Sequence, residues 1–162
     1  MYLFTNYLTE FKRRIKKLFM KANISKEELK KLFTKPYVAK SPSREEWSHF
    51  YDETVKFIDP TQEKYGLEEY IETQEKLLKR CDDVFLKTNA IVIDGNIGFI
   101  EWTMGLKIIN QEFIYPGTTR LIFGDSGKLK EHRDYFDFFG PTFGPIPVLG
   151  SLIKWIYGQF VN

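Results

Sequence analysis

From about residue 84 the hydrophobic period of this chain changes from helical to strand-like, and four strand-length segments follow in close succession. They run over about 84–94, 97–109, 112–123 and 128–137. The connections are Asp94-Gly95-Asn96, Asn110-Gln111 and the Gly124–Gly127 turn, all of them hairpin chemistry. A meander of that length must bury one face, and the preceding residues supply the cover. Ser25 with Glu28 and Ser43 with Glu46 are capping boxes that predict helices over about 26–34 and 44–52, separated by a linker with Pro36 and Pro42. A short strand, Thr54 to Ile58, stops at Asp59-Pro60. A helix over about 67–82 then carries Leu67, Tyr70, Leu77 and Cys81 on one stripe. Helices first and a meander afterwards predict an α+β fold with helices packed on one side of a curved, mostly antiparallel sheet. After it, a proline-containing tail ends in an amphipathic stretch expected to form a terminal helix.

The 162 residues suit one domain. The division expected is an arm over 1–24, the folded domain over 25–140 and the tail over 141–162. Aromatic residues make up 17% of the chain, which suits a fold with an apolar cavity to wall. The single cysteine, Cys81, rules out an internal disulfide, reads as a buried thiol, and fits a reducing, cytoplasmic setting. The net charge of +2 hides an asymmetry, because residues 1–40 hold 11 Lys/Arg against 3 Asp/Glu. The remainder is acidic, so no nucleic-acid partner is expected for it. Residues 3–19 form a basic amphipathic pattern. That pattern fits contact with an anionic membrane surface, and equally a packed helix or a solvated arm ahead of a natural start at Met20. It has no secretory-signal architecture, and no apolar run reaches the length of a membrane span.

The last strand concentrates ionisable groups where strands ordinarily have few. Alternation sends His132, Asp134 and Phe136 to one face and Arg133, Tyr135 and Asp137 to the other. On one face, His132 and Asp134 have Cα atoms about 7 Å apart. Lining an apolar cavity, such a pair is suited to moving a proton near neutral pH; packed across the sheet, it is a structural hydrogen bond. Asp59 is either a second carboxylate in that cavity or a turn residue. Arg133 and Asp137 are expected to form an ion pair on the outer face, either structural or at a dimer interface. Trp102 reads as cavity wall, Glu101 as an outward charge, and Tyr115 as a phenolic donor at the cavity mouth. With two histidines far apart in sequence and no phosphate-cradling glycine loop, neither metal nor cofactor is expected.

The order of elements, and the segments FYDETVKFIDPT, GFIEWTM and GKLKEHRDYFD, resemble the SnoaL-like branch of the nuclear transport factor 2-like superfamily. That branch holds polyketide cyclases, limonene-epoxide hydrolase relatives and ketosteroid isomerases. The resemblance covers about residues 26–140. It implies a cone-shaped fold with a deep apolar pocket and a homodimer through the sheet. It places Asp59 where ketosteroid isomerases hold their base and Asp134 near the acid/base aspartate of the cyclases. Thr119 falls where the isomerases hold a protonated aspartate, which argues against enolising isomerase chemistry. The catalytic candidates are therefore Asp59, Asp134 and His132, and the ligand-binding candidates Phe136, Trp102, Tyr115 and Thr119. Two functions remain open. One is cofactor-free acid/base catalysis on a small apolar molecule, as in a cyclase, isomerase or epoxide hydrolase. The other is a non-catalytic binding or protein-interaction module, with a membrane-peripheral form through the arm and the tail around Trp155 and Tyr157.

Overall fold

The computed structural model describes residues 24–36, 40–109, 111–146 and 148–161. The basic arm over 3–19, and any role of Met20, lie outside them. Both capping boxes form. Ser25 accepts from the Glu28 amide and starts α1 (Lys26–Leu32), while Ser43 accepts from the Glu46 amide and starts α2 (Arg44–Phe50). The first strand, β1 (Tyr51–Asp59), begins directly at the end of α2 and is longer than the expected 54–58 segment. A strand absent from the sequence reading, β2 (Gln62–Tyr65), folds back on it. Its residues are mostly polar and carry no apolar alternation, so nothing local marked it. There follow α3 (Leu67–Arg80), β3 (Asp83–Asp94), β4 (Ile97–Ile108), β5 (Gln111–Phe123), β6 (Leu129–Phe136), the short α4 (Phe139–Phe143) and the terminal α5 (Leu149–Val161).

The six strands form one curved sheet in the order β2-β1-β6-β5-β4-β3, antiparallel except where β1 runs beside β6. Gly127, at φ 76°, supplies the left-handed residue that closes the β5–β6 hairpin. The hairpin registers align side chains in rows across the sheet. Ile100, Thr119 and Asp134 share one row on the inner face; Trp102, Gly117 and Phe136 share the next. The row between them faces outward and holds Glu101, Thr118 and Tyr135. Gly117 is needed by this packing, since a Cβ there would stand 2.4 Å from Cη2 of Trp102. The indole lies flat across β5 in the space a side chain would otherwise fill.

α1, α2 and α3 cover the inner face with Leu29, Leu32, Trp47, Leu67 and Tyr70, all buried. Burying five such side chains contributes on the order of 2 kcal/mol each. α1 is fastened to β3 by a two-way backbone bridge between Lys35 and Leu86, and by Thr88 Oγ1 donating to the Phe33 carbonyl at 2.9 Å. The outer face leaves Val92, Ile97, Phe99, Ile114 and Tyr135 exposed. The expected Arg133–Asp137 pair does not form within the chain. Four residues along a strand span roughly 13 Å, and Asp137 instead accepts from the amides of Phe139 and Gly140 at the start of α4. Arg133 lies 3.9 Å from Glu131, which also pairs with Arg120. The tail forms a helix as expected, and α5 exposes Leu152, Trp155, Ile156, Tyr157 and Phe160. No helix among the described residues is long and apolar enough to cross a membrane.

Candidate functional site

Between the helices and the inner sheet face lies a cavity of about 700 Å³. Its wall includes Asp59, His132, Asp134, Phe136, Trp102 and Tyr115, so six of the seven residues singled out from the sequence meet at one void. The seventh, Thr119, is a correction to its expected ligand contact. It is fully buried and does not line the cavity, because its hydroxyl is used on both sides. Trp102 Nε1 donates to Thr119 Oγ1 at 2.7 Å, and Thr119 Oγ1 donates to Asp134 Oδ1 at 2.5 Å. Thr119 therefore holds Asp134 from behind.

The same Asp134 oxygen lies 2.9 Å from His132 Nε2. On the far side of the imidazole, Nδ1 lies 2.8 Å from the Tyr51 hydroxyl, which in turn lies 3.0 Å from the Tyr70 hydroxyl. With neutral His132 carrying its proton on Nε2, every contact is satisfied in one direction. Tyr70 donates to Tyr51, Tyr51 to His132, and His132 to Asp134. Burial raises the Tyr51 phenol well above its ordinary value, helped by Tyr70 and by the negative charge of Asp134. Burial likewise raises Tyr70. Both tyrosines are thus neutral hydrogen-bonding groups at any physiological pH. Phe33 and Phe57 pack on the imidazole at 5.5 and 5.1 Å between ring centroids, which fixes its plane.

Asp134 Oδ2, by contrast, has no partner among the described residues. An aligned carboxylate with one oxygen held by donors and the other uncommitted can act as a general base, and Trp102, Tyr115 and Phe136 line the same cavity beside it. Phe136 packs on Trp102 and Tyr115 at 5.8 and 5.9 Å. Tyr115 is itself buried, and its hydroxyl is engaged with Thr142 of α4 at 2.9 Å.

Asp59 differs from Asp134 in its commitments. Its Oδ1 accepts from the Thr61 amide and hydroxyl, both at 2.7 Å, and from the Gln62 amide at 3.0 Å. Its Oδ2 accepts from Gln62 Nε2 at 2.9 Å. This is an Asx turn closing the β1–β2 hairpin. Asp59 and Asp134 each follow the paired residues Ile58 and Arg133, so the two carboxylates sit on neighbouring strands. Tyr51, Tyr70 and Lys35 were not singled out from the sequence as site residues. Tyr51 reaches His132 across 81 positions, a contact without any local signal. Among the described residues no group of His, Cys, Asp and Glu is placed to hold a metal.

No family model matches the sequence, and no curated protein matches it. Solved structures do match the fold. A protein of ketosteroid isomerase-like fold from Catenulispora acidiphila, in complex with trimethylamine, gives a TM-score of 0.56 at 14% identity over 62% of this chain and 80% of that one. An LEH-like epoxide hydrolase of M. tuberculosis gives 0.54 at 18% identity over 68% and 83%. A provisionally assigned SnoaL-like polyketide cyclase from Jannaschia sp. CCS1 gives 0.53 at 16% identity over 60% and 74%. Sheet order, helix placement and these likenesses agree: the chain has the nuclear transport factor 2-like fold.

Proposed function

We propose that the protein is a SnoaL-like member of this fold that binds a small, largely apolar molecule in its cavity. There it transfers a proton without a cofactor, in a cyclisation, isomerisation or epoxide-opening reaction. Asp134 is the base, acting through Oδ2. His132 positions it and accommodates the proton's charge, while Phe136, Trp102 and Tyr115 form the apolar wall. The observation that carries this reading is the asymmetry of Asp134, with two hydrogen bonds on one oxygen and none among the described residues on the other. Asp59 is given the turn-forming role and not that of a second base, since both its oxygens are committed. The Thr119 hydroxyl is already donated to Asp134 and Thr119 does not line the cavity, so it offers no donor to an enolate oxygen, and the reading favours water or an already acidified carbon acid, such as a benzylic position beside a ketone, as proton source.

The test is proton exchange at C1 of 2-tetralone in D2O, followed by proton NMR, beside ring opening of styrene oxide. The wild type is expected to accelerate at least one of them, and Asp134→Asn to abolish that acceleration while leaving probe binding intact. Binding with no acceleration by the wild type would favour the rival reading, a non-catalytic ligand-binding module.

Two surface readings accompany this. The exposed apolar row on the outer sheet face, Val92 beside Phe99, supports a homodimer through the sheet. The aromatic, acid-free surface of α5 supports contact with a membrane interface, where Trp and Tyr are favoured.

A further inference from the structure

Lys35 lies in the cavity wall, fixed by its two backbone hydrogen bonds to Leu86 at 2.7 and 2.8 Å. Its ammonium sits 5.0 Å from the centroid of the Trp47 ring, and Leu32, Phe33 and Leu86 line the cavity with it. Among the described residues no carboxylate lies within ion-pair distance of it. Burial lowers its pKa, the mark of a cation short of solvent and of counter-charge. A charge in such surroundings is ordinarily paired, and a cation over an indole face recovers only part of the lost hydration. The other cations of the cavity wall, Lys64, Lys76 and Arg80, add to the imbalance, although Lys76 pairs with Glu72 at 2.8 Å. Against them stand Asp59 and Asp134, both already hydrogen-bonded.

We infer that the natural ligand carries one carboxylate, which pairs with Lys35 while the apolar body of the molecule extends along the aromatic wall toward Asp134. A carboxylate suits a single ammonium better than a phosphate does, since a phosphate generally draws several donors or an arginine fork. The inference rests on the cavity being a ligand site and goes further by assigning the ligand's chemical class and its orientation.

The experiment uses 1-naphthylacetate and its neutral isostere 1-naphthylacetamide, with affinities from calorimetry on the full chain. The acid is expected to bind at least tenfold more tightly than the amide, Lys35→Met to bring that ratio near one, and Lys35→Arg to keep most of it. In 15N-labelled wild type the Lys35 Nζ resonance is expected to move with the acid and not with the amide, a reading that stands even where Lys35→Met fails to fold. Equal affinities for acid and amide, with the Lys35 resonance unmoved, would overturn the inference and leave the cavity as a site for neutral molecules. Binding of neither would overturn the ligand site itself.

Discussion

Replacing Thr119 with valine keeps the shape of a fully buried side chain and deletes the hydroxyl that joins Trp102 to Asp134. Two losses follow. A hydrogen bond to a charged acceptor contributes about 1.5–3 kcal/mol, and a buried donor left without an acceptor, here Trp102 Nε1, costs about 1–3 kcal/mol. The two overlap, so the expected destabilisation is about 3 kcal/mol, or a Tm lower by about 6–12 °C for a chain of this size. Thr119→Ser keeps the hydroxyl and gives up one methyl, worth about 1 kcal/mol. Trp102→Phe removes the indole donor, so in the Thr119→Val/Trp102→Phe double variant the orphaned group no longer exists. The two single losses should then exceed the double loss by about 1 kcal/mol. Urea unfolding followed by far-UV circular dichroism at pH 7 reads the wild type and the four variants, with unchanged m-values as the check that the end states are comparable. Should Thr119→Val lose no more than Thr119→Ser, or should the two sites prove additive, the network behind Asp134 would not exist as described.

Three other outcomes follow from the same contacts. Tyr51 and Tyr70 stay protonated in the fold, while in the unfolded chain they ionise at their ordinary 10.0. The native state therefore holds more protons above that pH, and stability falls there by up to about 1.4 kcal/mol per pH unit for each tyrosine. Lys35 acts in the opposite sense only up to its ordinary 10.5. Above pH 10.5 the raised Cys81 and Lys56 act in the same direction, so the decline measured by chemical denaturation should be shallower but not abolished in Tyr51→Phe, and an unchanged slope would refute the assignment. Gly117→Ala forces a methyl into the Trp102 ring and should cost about 1–3 kcal/mol in the same unfolding assay, with a changed tryptophan emission. The proposed sheet dimer predicts a dimeric mass for the wild type by light scattering and a monomeric one for Phe99→Lys or Tyr135→Lys, and a monomeric wild type would end that proposal.

The sequence carried the inner face of β6 because strand alternation is geometric. His132, Asp134 and Phe136 follow one another at every second residue, and all three line the cavity. Alternation gives the side of the sheet but not the depth, which is why Thr119 was placed on the correct face and yet expected to meet a ligand. Asp59-Pro60 carried a turn signal that the structure bears out in full, down to the amides it accepts. Within one chain the pairing of Arg133 with Asp137 fails on simple reach along a strand. Tyr51, Tyr70 and Lys35 were not legible as site residues at all. Tyr51 opens β1, Tyr70 lies in α3 and Lys35 follows α1, and only tertiary packing brings each to His132 or to the cavity wall.

Occupation of the cavity by a small apolar molecule against the His132–Asp134 pair is tested directly by an intermolecular NOE experiment with 2-tetralone, read at the ring protons of the two histidines in the chain and of Phe136. Cross-peaks are expected from the bound ketone to His132 and Phe136, and none to the exposed His49. Shift changes confined to the outer sheet face or to α5, with no contact at His132, would contradict that occupation.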